Sequence, residues 1–303
     1  AKKMSEECYD SERKNELYVI SEICRNVPKN GAKSFYEACQ SFWFVQMLLQ
    51  TESSGHSISP GRFDQYMYPY FKKDLDEGKI TREFAQELMD CIWVKLNDLN
   101  KVRDEGSAEG FAGYSLFQNL IAGGQDENGL DATNDLSFMC INATMHVLLP
   151  QPSFYVRVWN KTPHEFMIRA AELTRTGVGL PAYYNDEVII PSLMSRGLTL
   201  EDARDYNIIG CVEPQKSGKT DGWHDAAFFN MCRPLELVFS NGADAGEQIS
   251  IKTGDVCSMA TFGEFYDAYK KQMNYMLELL VNADNAIDAA HAKRCPLPFL
   301  SSM

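Results

Sequence analysis

Residues 207–225 read NIIGCVEPQKSGKTDGWHD, a short apolar strand over Asn207–Gly210 followed by a polar loop that begins at Cys211. In α/β barrels, the loops at the carboxyl ends of strands carry the active site. Cys211 and Glu213 are two residues apart, so in extended backbone both side chains would point the same way. Pro214 has a fixed φ that helps to keep the pair out of a helix. The stretch therefore predicts a thiol and a carboxylate together at the end of a barrel strand.

The Cys211–Glu213 pair is poorly suited to polar nucleophilic catalysis. A nearby negative charge raises the pKa of a thiol, and a cysteine protease would place an imidazole there instead. The pair suits a sulfur that carries a hydrogen atom as a neutral thiol, beside a carboxylate that accepts a proton from the substrate. The residues alone favour a simpler interpretation, because an unpaired cysteine commonly packs as a small hydrophobic side chain.

The rest of the chain alternates short apolar strands with amphipathic helices. Strands are expected at 115–122, 153–159, 179–184 and 207–210. Helices are expected at 34–50, 64–75, 80–102, 134–149, 162–174, 185–196, 199–206, 228–240 and 261–290. This alternation predicts an α/β fold with a largely parallel sheet or barrel. No repeat, linker or low-complexity tract divides the sequence, so we expect residues 1–303 to form a single domain.

The composition disfavours several classes of partner and site. An apolar share of 45% with 23% charged residues is that of a globular protein with a large core. The net charge of −13 disfavours binding to nucleic acid or to an anionic membrane. The nine cysteines are widely spread and form no C-x-x-C pair. That pattern argues against a disulfide framework or a metal site within the chain, and it fits a reducing cytoplasm.

Two segments resemble glycyl radical enzymes, the pyruvate formate-lyase-like superfamily. GCVEPQ with the following KTDGWHDAAFFN is similar to the loop that carries the active-site cysteine of that family. ESSGHSISPGRFDQYMYPYF, at Glu52–Phe71, is similar to its other well-marked segment. The resemblance implies that Cys211 forms a thiyl radical and that Glu213 is the neighbouring base. It also implies that the chain is a portion of a ten-stranded α/β barrel whose strands are surrounded by helices.

Within the family, the sequence resembles most the B12-independent dehydratases of glycerol and propane-1,2-diol. These use a His-Ser pair and an Asp to hold the substrate hydroxyls, which His56, Ser57 and Asp225 match. Phe117 is expected to form an aromatic wall near the reacting carbon. Without the resemblance, such His and Asp residues would be read as structural hydrogen-bonding groups, and Phe117 as ordinary core. The implied reaction is the radical dehydration of a vicinal diol to an aldehyde.

Arg62 and Asp64 belong to the GRFD sequence inside the second segment. We expect them to form a buried structural ion pair or a capping set. Their implied role in the family is scaffolding.

The resemblance also defines what residues 1–303 do not contain. The radical glycine belongs to a C-terminal segment, and further substrate contacts belong to an upstream part of the barrel. The sequence begins at Ala1 within a helix-prone stretch and stops at Met303 soon after CPLP. We therefore expect an internal fragment that is inactive alone.

The implied cofactor and partners follow from the family. The chain itself is expected to hold no metal and no B12. A separate activase, with S-adenosylmethionine and an iron–sulfur cluster, would install the glycyl radical. We expect a homodimer that acts on a small-molecule diol, in an anaerobic bacterial cytoplasm or a protein-shelled microcompartment, with no nucleic acid or membrane as partner.

Three other functions stay open at this point. Choline trimethylamine-lyase shares the GCVEP loop, but should favour groups that surround a trimethylammonium over a His-Ser pair. A hydroxyproline dehydratase should have an acidic residue before the aromatic residue, where Leu116 stands. An inactive remnant that binds a partner enzyme is the non-enzymatic alternative, against which the presence of Cys211 and Glu213 argues.

Overall fold

The computed structural model describes residues 1–53, 56–99, 101, 105–110, 116–220 and 227–300. Contacts divide the chain into two compact units, Ala1–Gly222 with Phe299–Met303, and Trp223–Pro298. These units describe how the chain packs and do not test whether residues 1–303 belong to one domain of the family. The single domain over residues 1–303 stays a prediction.

The first unit contains most of the predicted elements. Its helices are α1 Lys2–Glu7, α2 Ser11–Asn26, α3 Phe35–Glu52, α4 Phe63–Tyr66, α5 Tyr68–Asp76, α6 Arg82–Asn97, α7 Glu105–Gly110, α8 Asp135–Val147, α9 His164–Arg175, α10 Asp186–Ser195 and α11 Leu200–Arg204. Its strands are β1 Asn119–Gly123, β2 Ser153–Val158, β3 Ala182–Asn185, β4 Tyr206–Ile209 and β5 Glu213–Lys216. Local capping explains several helix starts: the side chains of Ser34, Thr81 and Asn134 each accept a main-chain N–H of the first turn.

Three strands form a parallel sheet in the order β1-β2-β3. The segment before α4 extends this sheet beside β1, with Gly61 in a parallel bridge to Leu120. The Gly61 N–H donates to the Asn119 carbonyl at 2.9 Å, and the Ile121 N–H donates to the Gly61 carbonyl at 3.0 Å. The GRFD segment is thereby attached to the edge of the sheet.

The two faces of the sheet are buried in separate clusters. On one face, Leu120 and Phe154 pack into the large core with side chains from α3, α6, α8 and α9. On the other face, Ile121 and Tyr155 pack against side chains of α10 and β4, among them Ile208. Successive side chains of a strand point to opposite faces, which explains this division. The second face therefore carries the segment that contains Cys211.

The prediction of a largely parallel sheet is confirmed for β1, β2 and β3, whereas the predicted strand β4 pairs antiparallel with β5, a strand that the sequence did not predict. β4 and β5 form an antiparallel hairpin in which Ile209 lies opposite Glu213. Cys211 lies in the tight turn between them, not in a loop at the carboxyl end of a parallel strand. The polar sequence EPQK of β5 carries no apolar alternation, so only its pairing with β4 makes it a strand.

The base of this hairpin is held by buried arginines. Arg157 donates to the Arg204 carbonyl at 2.7 Å and to the Tyr206 carbonyl at 3.2 Å. It also makes a two-bond ion pair with Asp186, at 2.8 and 2.9 Å, in which both side chains are 0% exposed. A bidentate contact of this kind fixes the relative orientation of the two side chains and also adds binding energy.

Arg62 and Asp64 are both buried, but the ion pair expected between them does not form, because their hydrogen bonds go to other partners. Of the alternative, a capping set, Arg62 makes no side-chain cap at the start of α4. Arg62 donates to Asp205, which also pairs with Lys216 of β5. Asp64 accepts the Gly123 N–H and the hydroxyl hydrogen of Ser137. Arg62 stands before the first turn of α4 and Asp64 within it. Both residues connect the GRFD segment to the sheet.

The second unit contains helices and a short hairpin. Its elements are α12 Arg233–Phe239, β6 Ala243–Asp244, β7 Glu247–Gln248, a 3₁₀ turn at Val256–Ser258 and α13 Phe262–Arg294. Thr261 and Glu264 form a capping box at the start of α13. Among the residues that the structure describes, no helix combines the length and apolar character that a transmembrane segment needs.

Candidate active site

The cysteine turn, Gly210–Val212, joins β4 to β5. Gly210 has φ +61°, a left-handed conformation that glycine adopts without steric cost. Cys211 is exposed and Glu213 is half-buried. The chain reverses between these two residues, so the prediction that extended backbone aligns their side chains is wrong. Cys211 and Glu213 are nevertheless neighbours at the same end of the hairpin, because Glu213 is the first residue after the turn.

The Glu213 carboxylate folds back over the cysteine turn. Its Oε2 accepts the Val212 N–H at 2.8 Å. The carboxylate also lies directly against the α-carbon of Gly210, where an added Cβ would stand 2.8 Å from the Glu213 Cδ and closer still to Oε2. Only glycine at position 210 leaves room for this carboxylate.

We expect Gly210→Ala to displace the Glu213 carboxylate and to lower turnover of the complete enzyme about tenfold, because small displacements of catalytic groups are costly. Gly218→Ala is the matched control. Gly218 also has positive φ, at +71°, but an added Cβ there meets nothing within 4 Å. Both variants should lose a similar roughly 1–2 kcal/mol to backbone strain, as read from thermal melting. Equal activity in the two variants would contradict the role assigned to Gly210.

Two consecutive carbonyls of the cysteine turn are bound by side chains of the parallel sheet. Asn119 of β1 donates from Nδ2 to the Gly210 carbonyl at 2.6 Å. Tyr155 of β2 donates its hydroxyl hydrogen to the Cys211 carbonyl at 2.9 Å, and its oxygen lies 3.3 Å from Asn119 Oδ1. The turn is thus attached to the sheet at its tip as well as at the hairpin base.

Two tyrosines face the Cys211–Glu213 pair. The rings of Tyr155 and Tyr184 meet edge to face, with centroids 5.5 Å apart. Burial, reinforced by Glu213 and Cys211, raises the pKa of Tyr184 to about 12. Burial and the neighbouring Tyr184, Cys211 and Glu213 raise the pKa of Tyr155 as well. Both phenols therefore keep their hydrogen at neutral pH and can act as donors.

The sequence reasoning missed Asn119, Tyr155 and Tyr184. Alternation along SFYVRVW and AYYN places Tyr155 and Tyr184 on one face of their strands. That signal does not say which face meets the cysteine turn. The pairing of β2 with β3 and the packing of the hairpin decide it.

The structure brings together three of the other predicted site residues. The rings of His56 and Phe117 lie 5.2 Å apart, edge to face. The Ser57 N–H donates to the Leu116 carbonyl at 2.8 Å. Phe117 stands two residues before Asn119, so this group adjoins the strand that holds the cysteine turn.

Ser57 and Phe117 both have strained backbone, with φ of 64° and 49°. Such a conformation costs roughly 1–2 kcal/mol in a residue with a side chain. The Ser57 side chain is also buried, and its Oγ has no partner among the described residues. Strain and an unsatisfied buried hydroxyl in one residue are features that accumulate at binding sites.

Asp225 lies outside the described residues. Among those that are described, no three His, Cys, Asp or Glu side chains are grouped as metal ligands. All nine cysteines are described, and each is a thiol without a disulfide bond.

The pyruvate formate lyase-like family model matches residues 1–303. The chain belongs to this family of glycyl radical enzymes. A structure solved in work on 1,2-propanediol dehydration in Roseburia inulinivorans is similar, with 70% identity and a TM-score of 0.90 over 98% of this chain. The glycerol-bound B12-independent glycerol dehydratase of Clostridium butyricum has 62% identity and a TM-score of 0.89 over the whole chain. The (2S)-3-sulfopropanediol dehydratase of Klebsiella oxytoca is 37% identical over 100% of the chain.

These relatives are much longer than this chain. The chain spans 37% of the K. oxytoca relative and of the R. inulinivorans structure, and 38% of the C. butyricum structure. The predicted family and the predicted fold, a portion of the α/β barrel of glycyl radical enzymes, are confirmed. The names of these relatives agree with the prediction of a lyase of the dehydratase type.

Proposed function

We propose that residues 1–303 are part of an enzyme that dehydrates a vicinal diol, propane-1,2-diol or glycerol, by radical chemistry. The observation that carries the proposal is the cysteine turn, where Cys211 and the Glu213 carboxylate are held together by a three-residue reversal. A carboxylate beside a thiol disfavours the thiolate form. Such surroundings suit a thiol that exchanges a hydrogen atom. The names of the R. inulinivorans and C. butyricum structures support the diol as substrate.

In this proposal Cys211 carries the hydrogen atom. The glycyl radical of the family, on a segment outside these residues, supplies the unpaired electron. The Cys211 thiyl takes a hydrogen atom from C1 of the diol and becomes a thiol. Glu213 accepts the proton of the C1 hydroxyl, and the C2 hydroxyl leaves with the electrons of its C–O bond and takes up a proton to become water. The product radical takes the hydrogen atom back from Cys211 and yields the aldehyde.

The other site residues are proposed to hold the diol. His56 and Ser57 would bind its hydroxyls, and the unsatisfied Ser57 hydroxyl supports this role. Phe117, whose ring contacts His56, would form the aromatic wall beside the reacting carbon. Asp225 is proposed as a further hydroxyl ligand from the sequence resemblance alone. A neutral polyol needs several such fixed polar partners.

The activating partner and the setting follow from radical chemistry. An activase with S-adenosylmethionine and an iron–sulfur cluster would install the radical, and the enzyme would act as a homodimer. Because oxygen destroys such radicals, we place the enzyme in an anaerobic bacterial cytoplasm or a protein-shelled microcompartment.

The test uses the complete enzyme that contains these residues, activated anaerobically and supplied with propane-1,2-diol, glycerol or choline. Aldehyde formation is followed by NADH oxidation with an added alcohol dehydrogenase, and amine release is assayed in parallel. We expect aldehyde from at least one diol and no trimethylamine from choline. Turnover of choline alone would favour the trimethylamine-lyase, and an enzyme that never forms the glycyl radical would favour the inactive remnant.

A further inference from the structure

The contacts of Asn119 and Tyr155 point to a function beyond ordinary packing. We propose that these two side chains, here named the carbonyl clamp, are positioning residues that set the direction of the Cys211 side chain. This inference rests on the proposed function, because it concerns how the hydrogen-carrying thiol is aimed at its substrate.

The geometry of the peptide bond explains why two contacts suffice. The Gly210 carbonyl belongs to the rigid peptide plane before the α-carbon of Cys211, and the Cys211 carbonyl belongs to the plane after it. Asn119 binds the first carbonyl at 2.6 Å and Tyr155 binds the second at 2.9 Å. Fixing both planes restricts φ and ψ of Cys211 together. The direction of its Cα–Cβ bond is then fixed as well.

Both side chains of the carbonyl clamp are buried in the sheet. Asn119 is fully buried and Tyr155 is 6% exposed. They stand on neighbouring parallel strands, where Asn119 is paired with Ser153 and Tyr155 with Ile121. The Tyr155 ring is further supported by the edge of Tyr184. An exposed turn is thereby bound to two buried side chains of the sheet.

Anchoring of the hairpin and orientation of its tip depend on different residues. Arg157 holds main-chain carbonyls at the start of β4, at Arg204 and Tyr206. The clamp acts at the other end, on Gly210 and Cys211. Removing one clamp hydrogen bond should therefore change the turn without detaching the hairpin. One such bond contributes little to the stability of the whole chain.

The expected effect is on the rate of the chemical step. The proposed substrate contacts His56 and Ser57 make none of the clamp's hydrogen bonds, so diol binding should be little changed. A misdirected thiol reaches the geometry for hydrogen transfer less often, which lowers kcat. The clamp therefore predicts a loss in kcat with KM nearly constant.

The experiment compares Tyr155→Phe with Tyr183→Phe in the complete, activated enzyme. Each substitution removes one phenol hydroxyl from the same sheet. The Tyr183 hydroxyl, however, bonds Thr174 of α9 at 2.8 Å, on the opposite side from the cysteine turn. We expect Tyr155→Phe to lose about tenfold in kcat with KM within about twofold of wild type. Both variants should have equal glycyl radical content by EPR and equal melting temperatures.

A second measurement does not depend on the substrate. Hydrogen–deuterium exchange of the peptide that spans Asn207–Lys216 should be faster in Tyr155→Phe than in Tyr183→Phe. A kcat of Tyr155→Phe within twofold of the control would overturn the proposal. If the wild-type enzyme converts no diol, the proposed function fails, and the clamp is then judged by hydrogen–deuterium exchange. Unchanged exchange in Tyr155→Phe would overturn the clamp, and faster exchange would support it.

Discussion

Cys211→Ser is expected to reduce turnover of the complete enzyme to less than roughly a thousandth of wild type, as loss of an essential reacting group does. Serine is close to cysteine in size and leaves the main-chain hydrogen bonds of the cysteine turn in place. Its O–H bond is much stronger than an S–H bond, so the hydroxyl cannot exchange a hydrogen atom with the radical partners. The variant should still acquire the glycyl radical, which EPR measures directly.

The control for this prediction is Cys257→Ser. Cys257 is also an exposed thiol, but it lies in the second unit, in a 3₁₀ turn. Its activity should stay within twofold of wild type. More than about 1% residual turnover in Cys211→Ser, with normal radical content, would show that Cys211 is not the hydrogen carrier.

Arg157→Met is expected to give the largest loss of stability. Arg157 and Asp186 are both 0% exposed and are joined by two hydrogen bonds. Methionine fills similar volume but leaves the Asp186 carboxylate buried without its counter-charge. Removing one partner of a buried ion pair costs about 3–5 kcal/mol. Urea unfolding should show the loss as a lower midpoint.

The comparison variant is Arg82→Met. Arg82 pairs with Asp135 at 2.9 Å, but the two side chains are 52% and 35% exposed. Ion pairs of this kind contribute about 0–1 kcal/mol, so its midpoint should change little. Similar midpoints for the two variants would mean that the buried pair is relieved by relaxation or by water. A large effect in Arg157→Met alone would confirm that the hairpin base depends on this network.

The residues of the candidate site and its supports differ in how far the sequence could predict them. The cysteine and glutamate were identified by resemblance, because local physics alone would have left Cys211 as an ordinary core cysteine. The His56–Ser57 segment and Phe117 were identified in the same way, and the structure places them side by side. Arg157, Asn119 and Tyr155 were not identified, since nothing in their local sequence distinguishes them from other strand residues.

The sequence by itself determined most of the longer helices and the three parallel strands that alternate with them. Those features depend on apolar periodicity and on caps such as Ser34 and Asn134, which act within a few residues of chain. Only the tertiary structure decided that the chain reverses at Cys211, that Glu213 folds against Gly210, and that Asn119 and Tyr155 bind the turn. Each of these depends on partners brought together from distant positions, as for Asn119 and Gly210, which are 91 residues apart. Strand pairing and the choice of face create such contacts, and no local pattern encodes them.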